Sequence, residues 1–572
     1  MSDIAANVAA ESAHAPSEPS WQARALARLE DGLAALTDRA NPILVKETRQ
    51  ALKSRQFIVS FLVVLVGCWI VTLAGVAVIG PEIYFGAAGP EMLLAYYCVL
   101  AAPLAVIVPY SAYRSLAAEK EENTYDLLSI TTLGSRQIVT GKLCSAAAQM
   151  FVYFSAVAPC IVFTLLLRGV DAMTVAALLV LAVAGSLALS MAALLVGTLS
   201  QVRYTQAVLS VALVMSLLGA FWGAVVIAYV CLFEEPIPFG DPETWLVSLL
   251  LLTLYVTTFG LFHAAASARI AFPSENRSTP LRWWMTVQQA CFVAWFAGLV
   301  AYMAAMMAVQ GFSLINDLSE MLMAVGVVGL LYWYVMGTLM TSEWPHLSRR
   351  VQRSLPQSTA GRMFLSLFNP GPGAGYLFAV SNFSMMCICS VAMLIALTTW
   401  YGGTWGSRQE TSLYFFVISW GYLAGFLGAG RLLISLFRRF AFVPLAAGFL
   451  THFILLLAGI GIPLVIYLMS PSSRYFNTYS LSQITNPMIT LVTLVDDGPD
   501  AIDALTVSAL TTAAGVVMLL LNARSVAAEL HRQRTPAPIR VIEEDAEAQQ
   551  EIRKPQSPWD EDEAAASAAV DP

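Results

Sequence analysis

Long apolar runs separated by short polar connections dominate this chain. Twelve runs approach or exceed the roughly 20 apolar residues that a membrane-spanning helix needs, and none contains Asp, Glu, Lys or Arg. The pattern predicts an all-α fold, a polytopic transmembrane helical bundle of about 12 spans, with Pro444 and Pro463 as candidate break points in the eleventh. The runs cover approximately residues 57–79, 92–113, 143–167, 172–199, 204–233, 245–268, 283–310, 321–342, 376–400, 411–430, 440–470 and 504–523.

Lys and Arg alternate between connections that are rich in them and connections that nearly lack them. Of the 31 basic residues, only Arg168, Arg408 and Arg474 fall on the poor side. Because cytoplasmic loops carry the excess of Lys and Arg, the alternation predicts that both termini are cytoplasmic. The first forty residues contain no apolar segment of the kind found in a signal peptide, so we expect the first span to act as an uncleaved membrane signal.

The runs divide the chain into four regions. Residues 1–56 are predicted to form a cytoplasmic tail with an interfacial helix at 21–36 and an interfacial entry helix before the first span, and residues 524–572 an acidic, disordered cytoplasmic tail. Residues 57–268 and 269–523 each hold six spans that begin in the same orientation, which permits a parallel 6+6 duplication. We favour a fused pseudo-dimer, and an accessory module remains the alternative for the second half.

Composition supports a membrane protein and excludes other classes. Hydrophobic residues make up 58% of the chain and charged residues only 12%, about half the share in soluble domains. The acidic tail after Val541 accounts for the net charge of -7, and no basic patch indicates nucleic-acid binding. The eight cysteines lie in or beside apolar runs, so we interpret them as small hydrophobes and predict no metal site.

The connection between the second and third runs, residues 114–142, has a distinctive pattern. It reads RSLAAEKEENTYDLLSITTLGSRQIVTGK. The sequence predicts a solvated charged turn from Glu119, then a short helix capped by Asn123 or Thr124 that ends at Gly134. Its polar flank and apolar ridge suit docking into a groove on a cytoplasmic partner.

This connection resembles the first cytoplasmic loop of the membrane subunits of type-2 ABC exporters, the ABC-2 permease family. The residues that match the pattern of that loop are Glu119, Lys120, Thr124, Asp126, Leu127, Leu128, Thr131, Leu133, Gly141 and Lys142. Asn123, Thr132 and Gly134 depart from it. Residues 41–57 also resemble the helix that lies along the membrane before the first span in that family, and the resemblance covers roughly the first half of the chain.

The resemblance implies a permease that exports bulky or amphipathic cargo from a bacterial cytoplasmic (inner) membrane. The connection would be a coupling helix that docks into a separate ATP-binding cassette subunit, which would hold the ATP and Mg²⁺. Membrane lipid is a further expected partner, and a second permease or a second copy of this chain remains open. The implied docking residues are Glu119, Lys120, Thr124, Tyr125, Asp126, Leu127, Leu128, Thr131 and Leu133.

The chain itself has no sequence signature of an enzyme. In the nearest phosphate-loop match, GSRQIVTGKL, six residues instead of four separate the glycines, and Leu143 replaces the required Ser or Thr. We therefore predict no catalytic, cofactor or metal residues. Candidate intramembrane polar residues are His452, Asn382 and Gln149. A 12-span secondary transporter and a membrane scaffold or assembly factor are the alternative functions.

Overall fold

The computed structural model describes most of the apolar part of the chain. Among the described residues, regular structure is entirely helical and no strand is present. The chain divides into two compact units, Met1–Ala271 and Phe272–Pro572. The described residues are 41–80, 86–121, 134–199, 203–272, 274–310, 315–345, 347–353, 358, 361, 365–400, 405–469, 479–530, 538–540, 543–544 and 546–547.

The first unit begins with a short helix, Pro42–Leu52, which we call the pre-span helix. The side chain of Asn41 caps it by accepting a hydrogen bond from the backbone N–H of Ile43 at 3.1 Å. A break at Lys53 and Ser54 separates it from the first span. The spans are Arg55–Ile79 (span 1), Gly89–Ala102 and Val108–Glu121 joined by a π-helical turn at Pro103–Ile107 (span 2), Ser135–Leu166 (span 3), Ala172–Leu199 (span 4), Arg203–Tyr229 continued by a π-helical turn at Val230–Glu234 (span 5) and Pro242–Ile270 (span 6).

The second unit also contains six long helices, together with shorter elements between them. The short helices are Arg349–Arg353 and Pro487–Asp497, and the 3-10 turns are Ser366–Phe368, Leu481–Gln483 and Pro499–Ile502. The spans are Thr279–Gln310 (span 7), Ile315–Thr341 (span 8), Pro372–Trp400 (span 9), Ser407–Phe437 (span 10), Leu445–Met469 (span 11) and Ala504–Leu530 (span 12).

The helices of the two units pack in the same pattern. In the first unit, span 4 packs against spans 2, 3, 5 and 6, span 3 also packs against spans 1, 2 and 6, and span 2 against span 5. In the second unit, span 10 packs against spans 8, 9, 11 and 12, span 9 also against spans 7, 8 and 12, and span 8 against span 11. Adding six to each span number converts these contacts of the first unit into those of the second, except that spans 7 and 8 approach each other less closely than spans 1 and 2.

Spans 1 and 2 meet in the first unit, and their counterparts meet through long side chains. The hydroxyl groups of Thr72 and Tyr96 lie 2.8 Å apart and join spans 1 and 2. In the second unit, the Trp333 indole N–H donates to the Gln289 side chain at 3.1 Å and joins spans 8 and 7. Hydrogen bonds between helices are a usual source of association within a membrane. A hydrogen bond between side chains therefore joins the first and second spans of each unit.

Small residues allow the closest helix contact in the second unit. A Cβ atom at Gly421 of span 10 would lie 2.6 Å from the backbone of Thr511 in span 12, and Gly515 faces Ala424 in the same way at 3.2 Å. Without these glycines the two backbones could not approach so closely, and close backbone approach drives helix association where the hydrophobic effect is weak. Span 10 is consequently the most buried helix of its unit.

The structure confirms the all-α architecture, and twelve of its helices are long and apolar enough to cross a membrane. The chain is thus a multi-pass membrane protein. Span 11 begins directly after Pro444 and continues through Pro463, so the prediction of a break at the second proline is wrong. The predicted interfacial helix at residues 21–36 lies outside the described residues, as does the acidic end of the chain from residue 548.

Candidate functional site

The docking segment predicted from the sequence is only partly described by the structure. Glu119 and Lys120 lie in the last turn of span 2, which continues to Glu121. The expected solvated turn from Glu119 is therefore wrong at this residue, because the helix extends further than the apolar run. The remaining predicted docking residues lie outside the described residues: Thr124, Tyr125, Asp126, Leu127, Leu128, Thr131 and Leu133.

The described residues on either side of this segment meet at a buried lysine. The Lys142 ammonium group in span 3 lies 3.0 Å from Glu47 Oε1 of the pre-span helix and 3.0 Å from Glu119 Oε1 of span 2. It also donates a hydrogen bond to the carbonyl oxygen of Ser115 at 3.3 Å. Only 2% of Lys142 is exposed. We call Lys142, Glu47 and Glu119 the lysine cluster.

Close packing of the pre-span helix keeps water away from the lysine cluster. Ile43 is buried against the start of span 3, and a Cβ atom at Gly141 would lie 3.0 Å from both Ile43 and the Asn41 amide nitrogen. That amide nitrogen donates to the carbonyl oxygen of Gln137 at 2.6 Å. Gly141 directly precedes Lys142. The close packing of the pre-span helix against Gly141 therefore lies beside the buried lysine.

The lysine cluster fastens together three elements that are distant in sequence. A charge that is buried requires an opposite charge and hydrogen bonds, and removing one partner from such a group costs about 3–5 kcal/mol. A second lysine, Lys46, also reaches Glu119 at 4.0 Å but is 60% exposed, and exposed pairs contribute at most about 1 kcal/mol. Lys142 is therefore the residue that holds the pre-span helix, the end of span 2 and the start of span 3 in one arrangement.

The second unit also contains a buried charged cluster at the end of its second span, with the cation on its first span. Arg282 in the first turn of span 7 donates to Glu343 Oε2 at 2.9 Å, just beyond the end of span 8. The same carboxylate oxygen accepts the backbone N–H of Gly371, at 2.9 Å, immediately before span 9. Ser278 donates to its other oxygen at 2.6 Å. We call Arg282 and Glu343 the arginine cluster; the Arg282 side chain is completely buried.

A further ion pair joins the last span to span 9 and span 10. Arg431 of span 10 contacts Glu529 of span 12 at 3.2 Å and donates to Asn522 at 2.6 Å. The Glu529 carboxylate also accepts the backbone N–H groups of Gly373 and Ala374, at 2.7 and 3.2 Å. A carboxylate is favoured there because free N–H groups and a positive dipole end mark the start of a helix.

The three candidate intramembrane polar residues have different surroundings. His452 is fully buried, and its ring lies 2.8 Å from the Thr341 hydroxyl, which joins span 11 to span 8. Gln149 accepts a hydrogen bond from Ser111 at 3.1 Å and joins span 3 to span 2. Asn382 donates to Phe378 one turn earlier in the same helix, at 2.8 Å. Each of the three thus has a partner within its own unit, and they do not form one site.

Sequence reasoning singled out Glu119 and Lys142, but not their partner Glu47 nor the charged residues of the second unit, which are Arg282, Glu343, Arg431 and Glu529. Arg282 and Arg431 each lie one residue beyond an apolar run, which placed them in connections. The sequence did contain a signal for these partners at the helix ends. An arginine in the first turn of a helix and a glutamate in the last turn interact unfavourably with the helix dipole. Arg282 and Glu529 stand in such positions, and a charge placed there indicates a specific partner.

In each of these charged clusters, ion pairs and hydrogen bonds hold the ends of neighbouring helices together. The described residues contain no group of three or more His, Cys, Asp or Glu side chains that could hold a metal ion. No family model matches the sequence, and neither proteins of known function nor solved structures include a match.

Proposed function

We propose that the chain is the membrane-spanning permease subunit of an ATP-driven exporter. A separate cytoplasmic subunit would hydrolyse the ATP and dock onto residues 119–133. The observation that supports this function best is the lysine cluster, because Glu119, the first residue of that segment, is joined to Lys142, which follows the segment in span 3. The proposal also takes the host membrane to be a bacterial inner membrane, with both termini cytoplasmic.

A docking segment transmits movement only if its two ends are firmly attached to the helices that must move. Span 2 ends at Glu121 and span 3 begins at Ser135, so the segment between them connects two spans directly. The lysine cluster fixes these two helix ends and adds the pre-span helix to the same assembly. A displacement of the docked segment would therefore move spans 2 and 3 together, as a rigid-body change requires.

Substitutions in the docking segment and in the lysine cluster would have different effects on the binding of the ATPase subunit and on transport. In this proposal Leu127 and Leu128 are the residues that dock, whereas Lys142 belongs to span 3 and Glu47 to the pre-span helix. A change in the segment would prevent the ATPase subunit from binding. A change at Lys142 or Glu47, which lie outside the docking segment, would leave binding intact and would reduce the stimulation of ATP hydrolysis by substrate.

Co-purification tests the proposed function. The full chain is produced with the ATPase subunit encoded in its genomic neighbourhood, purified through a tag on the chain, and compared with a Leu127→Asp/Leu128→Asp variant. We expect the ATPase to accompany the original chain and to fall at least tenfold with the variant. Ile539→Asp is the matched control, since Ile539 is 75% exposed near the end of the chain and should leave binding unchanged.

Two results would count against the proposal. Undiminished recovery of the ATPase with the double variant would remove the docking role from this segment. Transport that follows an ion gradient in vesicles without ATP or any ATPase subunit would favour a secondary transporter.

A further inference from the structure

A cavity of about 410 Å³ opens in the second unit, at the end where spans 8 and 10 begin. The end of the short helix Pro487–Asp497 forms its third side. Its lining combines charged and apolar side chains, which are Glu320, Arg408, Asp496, Met323, Ala324, Val327, Phe415 and Val495. None of these residues belongs to the charged clusters described above, so the cavity is a separate candidate site.

The charged and apolar residues of the cavity lie at different depths. Along span 8, Val327 follows Glu320 by two helical turns, and along span 10, Phe415 follows Arg408 by the same interval. Because each residue of an α-helix advances about 1.5 Å along the axis, the apolar end of the cavity lies roughly 10 Å further along these spans than the charged end. Val327 is 41% exposed, so the apolar end is open to the surrounding hydrocarbon. A ligand that fits therefore has a polar head and an apolar tail, and it enters from the bilayer.

The short helix that closes the cavity is held at both ends. Before its first turn, the carbonyl oxygen of Ile484 accepts a hydrogen bond at 2.6 Å from Tyr422, which lies at the midpoint of span 10. In its last turn, the carbonyl oxygen of Val495 accepts a hydrogen bond from Arg408 at 3.1 Å. The helix therefore packs along span 10 from the middle of that span to its beginning. The wall of the cavity is thus part of the packed unit.

The charged end of the cavity has unused capacity for both signs of charge. Arg408 lies 3.5 Å from Glu320, and the two side chains are 42% and 55% exposed. Such an exposed pair is weak, and the five N–H donors of a guanidinium group exceed what Glu320 and the Val495 carbonyl can accept. Asp496 is also exposed, and it stands at the end of the short helix, where the helix dipole is negative as well. A complementary head group therefore carries one anionic group for Arg408 and one cationic group for the two carboxylates.

We propose that this cavity binds an aminophospholipid. The phosphate pairs with Arg408, the primary ammonium group donates to Glu320 and Asp496, and the acyl chains lie against the apolar residues. A primary ammonium group donates hydrogen bonds to carboxylates, whereas a quaternary one is recognised by an aromatic cage, and Phe415 is the only aromatic side chain among the described residues of the lining. The two carboxylates disfavour a phospholipid with a net negative charge. The proposal requires no ATPase subunit, so it goes beyond the proposed function.

Native mass spectrometry of the full chain tests the proposal with three synthetic phospholipids that share the same acyl chains. Their head groups are ethanolamine, choline and glycerol. We expect the original chain to retain the ethanolamine lipid about tenfold better than the other two, which is the difference that one charge-assisted hydrogen bond makes. Glu320→Gln/Asp496→Asn should abolish this preference. Glu410→Gln is the matched control and should keep it, since Glu410 is exposed in the first turn of span 10 and does not line the cavity.

A substitution that fills the apolar end of the cavity tests the proposal independently of charge. Ala324→Trp should lower the retention of the ethanolamine lipid to a similar extent, whereas Val328→Trp, at a nearby position of span 8 that is 63% exposed and does not line the cavity, should leave it unchanged. Equal retention of the three lipids by the original chain would indicate adsorption only and would overturn the proposal. An undiminished preference in the charge variant, or undiminished retention by the Ala324→Trp variant, would overturn the assignment of the lipid to this cavity.

Discussion

The buried Lys142 gives the sharpest prediction, because a second lysine approaches the same carboxylate without being buried. Lys142→Met keeps the length of the side chain and removes its charge, which leaves Glu47 and Glu119 facing each other. Lys46→Met makes the same chemical change at an exposed position. The two variants thus compare one substitution in two environments within a few ångströms of one carboxylate group.

The magnitudes follow from the distances and the burial. At 3.0 Å from each carboxylate and with an effective dielectric constant of about 20, each attraction of Lys142 is roughly 5 kcal/mol before desolvation. After desolvation, removing one partner of a buried group costs about 3–5 kcal/mol. Lys46, at 4.0 Å and largely in solvent, should contribute less than about 1 kcal/mol.

The free energy of unfolding in mixed detergent micelles, followed by tryptophan fluorescence during denaturant titration, measures this difference. We expect Lys142→Met to lose at least 2 kcal/mol more than Lys46→Met. A double-mutant cycle adds a reversal of sign: Glu119→Gln should destabilise the original chain and should stabilise the Lys142→Met variant, because there it removes one of two neighbouring carboxylates that no longer share a buried lysine. Equal losses for the two lysine variants, or no reversal, would refute the ion-pair account of the lysine cluster.

Three further predictions concern other parts of the fold. Gly421→Val should cost about 1–3 kcal/mol in the same unfolding assay through overpacking, whereas Gly425→Ala, whose Cβ atom meets nothing within 4 Å, should be tolerated. Arg431→Gln should cost about 3–5 kcal/mol, because Glu529 would lose its buried partner; a loss below 1 kcal/mol would contradict this. A cysteine introduced at Asp241 should react with a membrane-impermeant maleimide added outside the cell, and a cysteine introduced at Arg349 should react only when the maleimide reaches the inside. Labelling of both positions from the same side would overturn the predicted topology.

The sequence predicts the spans well because an apolar run of this length has few other stable environments. Long runs identify each helix, and the structure places all twelve close to the predicted limits. Some helices extend beyond the runs and include charged residues that have partners. Span 2 reaches Glu121 and span 10 reaches Phe437, and the paired residues Glu119 and Arg431 lie in these extensions.

The candidate site was harder to predict because its contacts are tertiary. The sequence indicated Lys142 as a residue that matches the loop pattern of the ABC-2 permease family, and Glu119 as the start of the charged turn. Neither observation indicates that the two meet, since that depends on how spans 2 and 3 pack. Glu47 belongs to a third element, whose position is set by Gly141 and Ile43. Periodicity within a helix cannot supply such information.

The pairing of Arg431 with Glu529 has a consequence for biosynthesis. The partners are 98 residues apart, and a chain is synthesised at roughly 5–20 residues per second. For about 5–20 seconds, a newly inserted Arg431 lacks the carboxylate of Glu529, which the final helix supplies. The second unit therefore completes this ion pair only when the last turn of span 12 has been synthesised. A message truncated before Glu529 should give a chain that quality-control proteases remove.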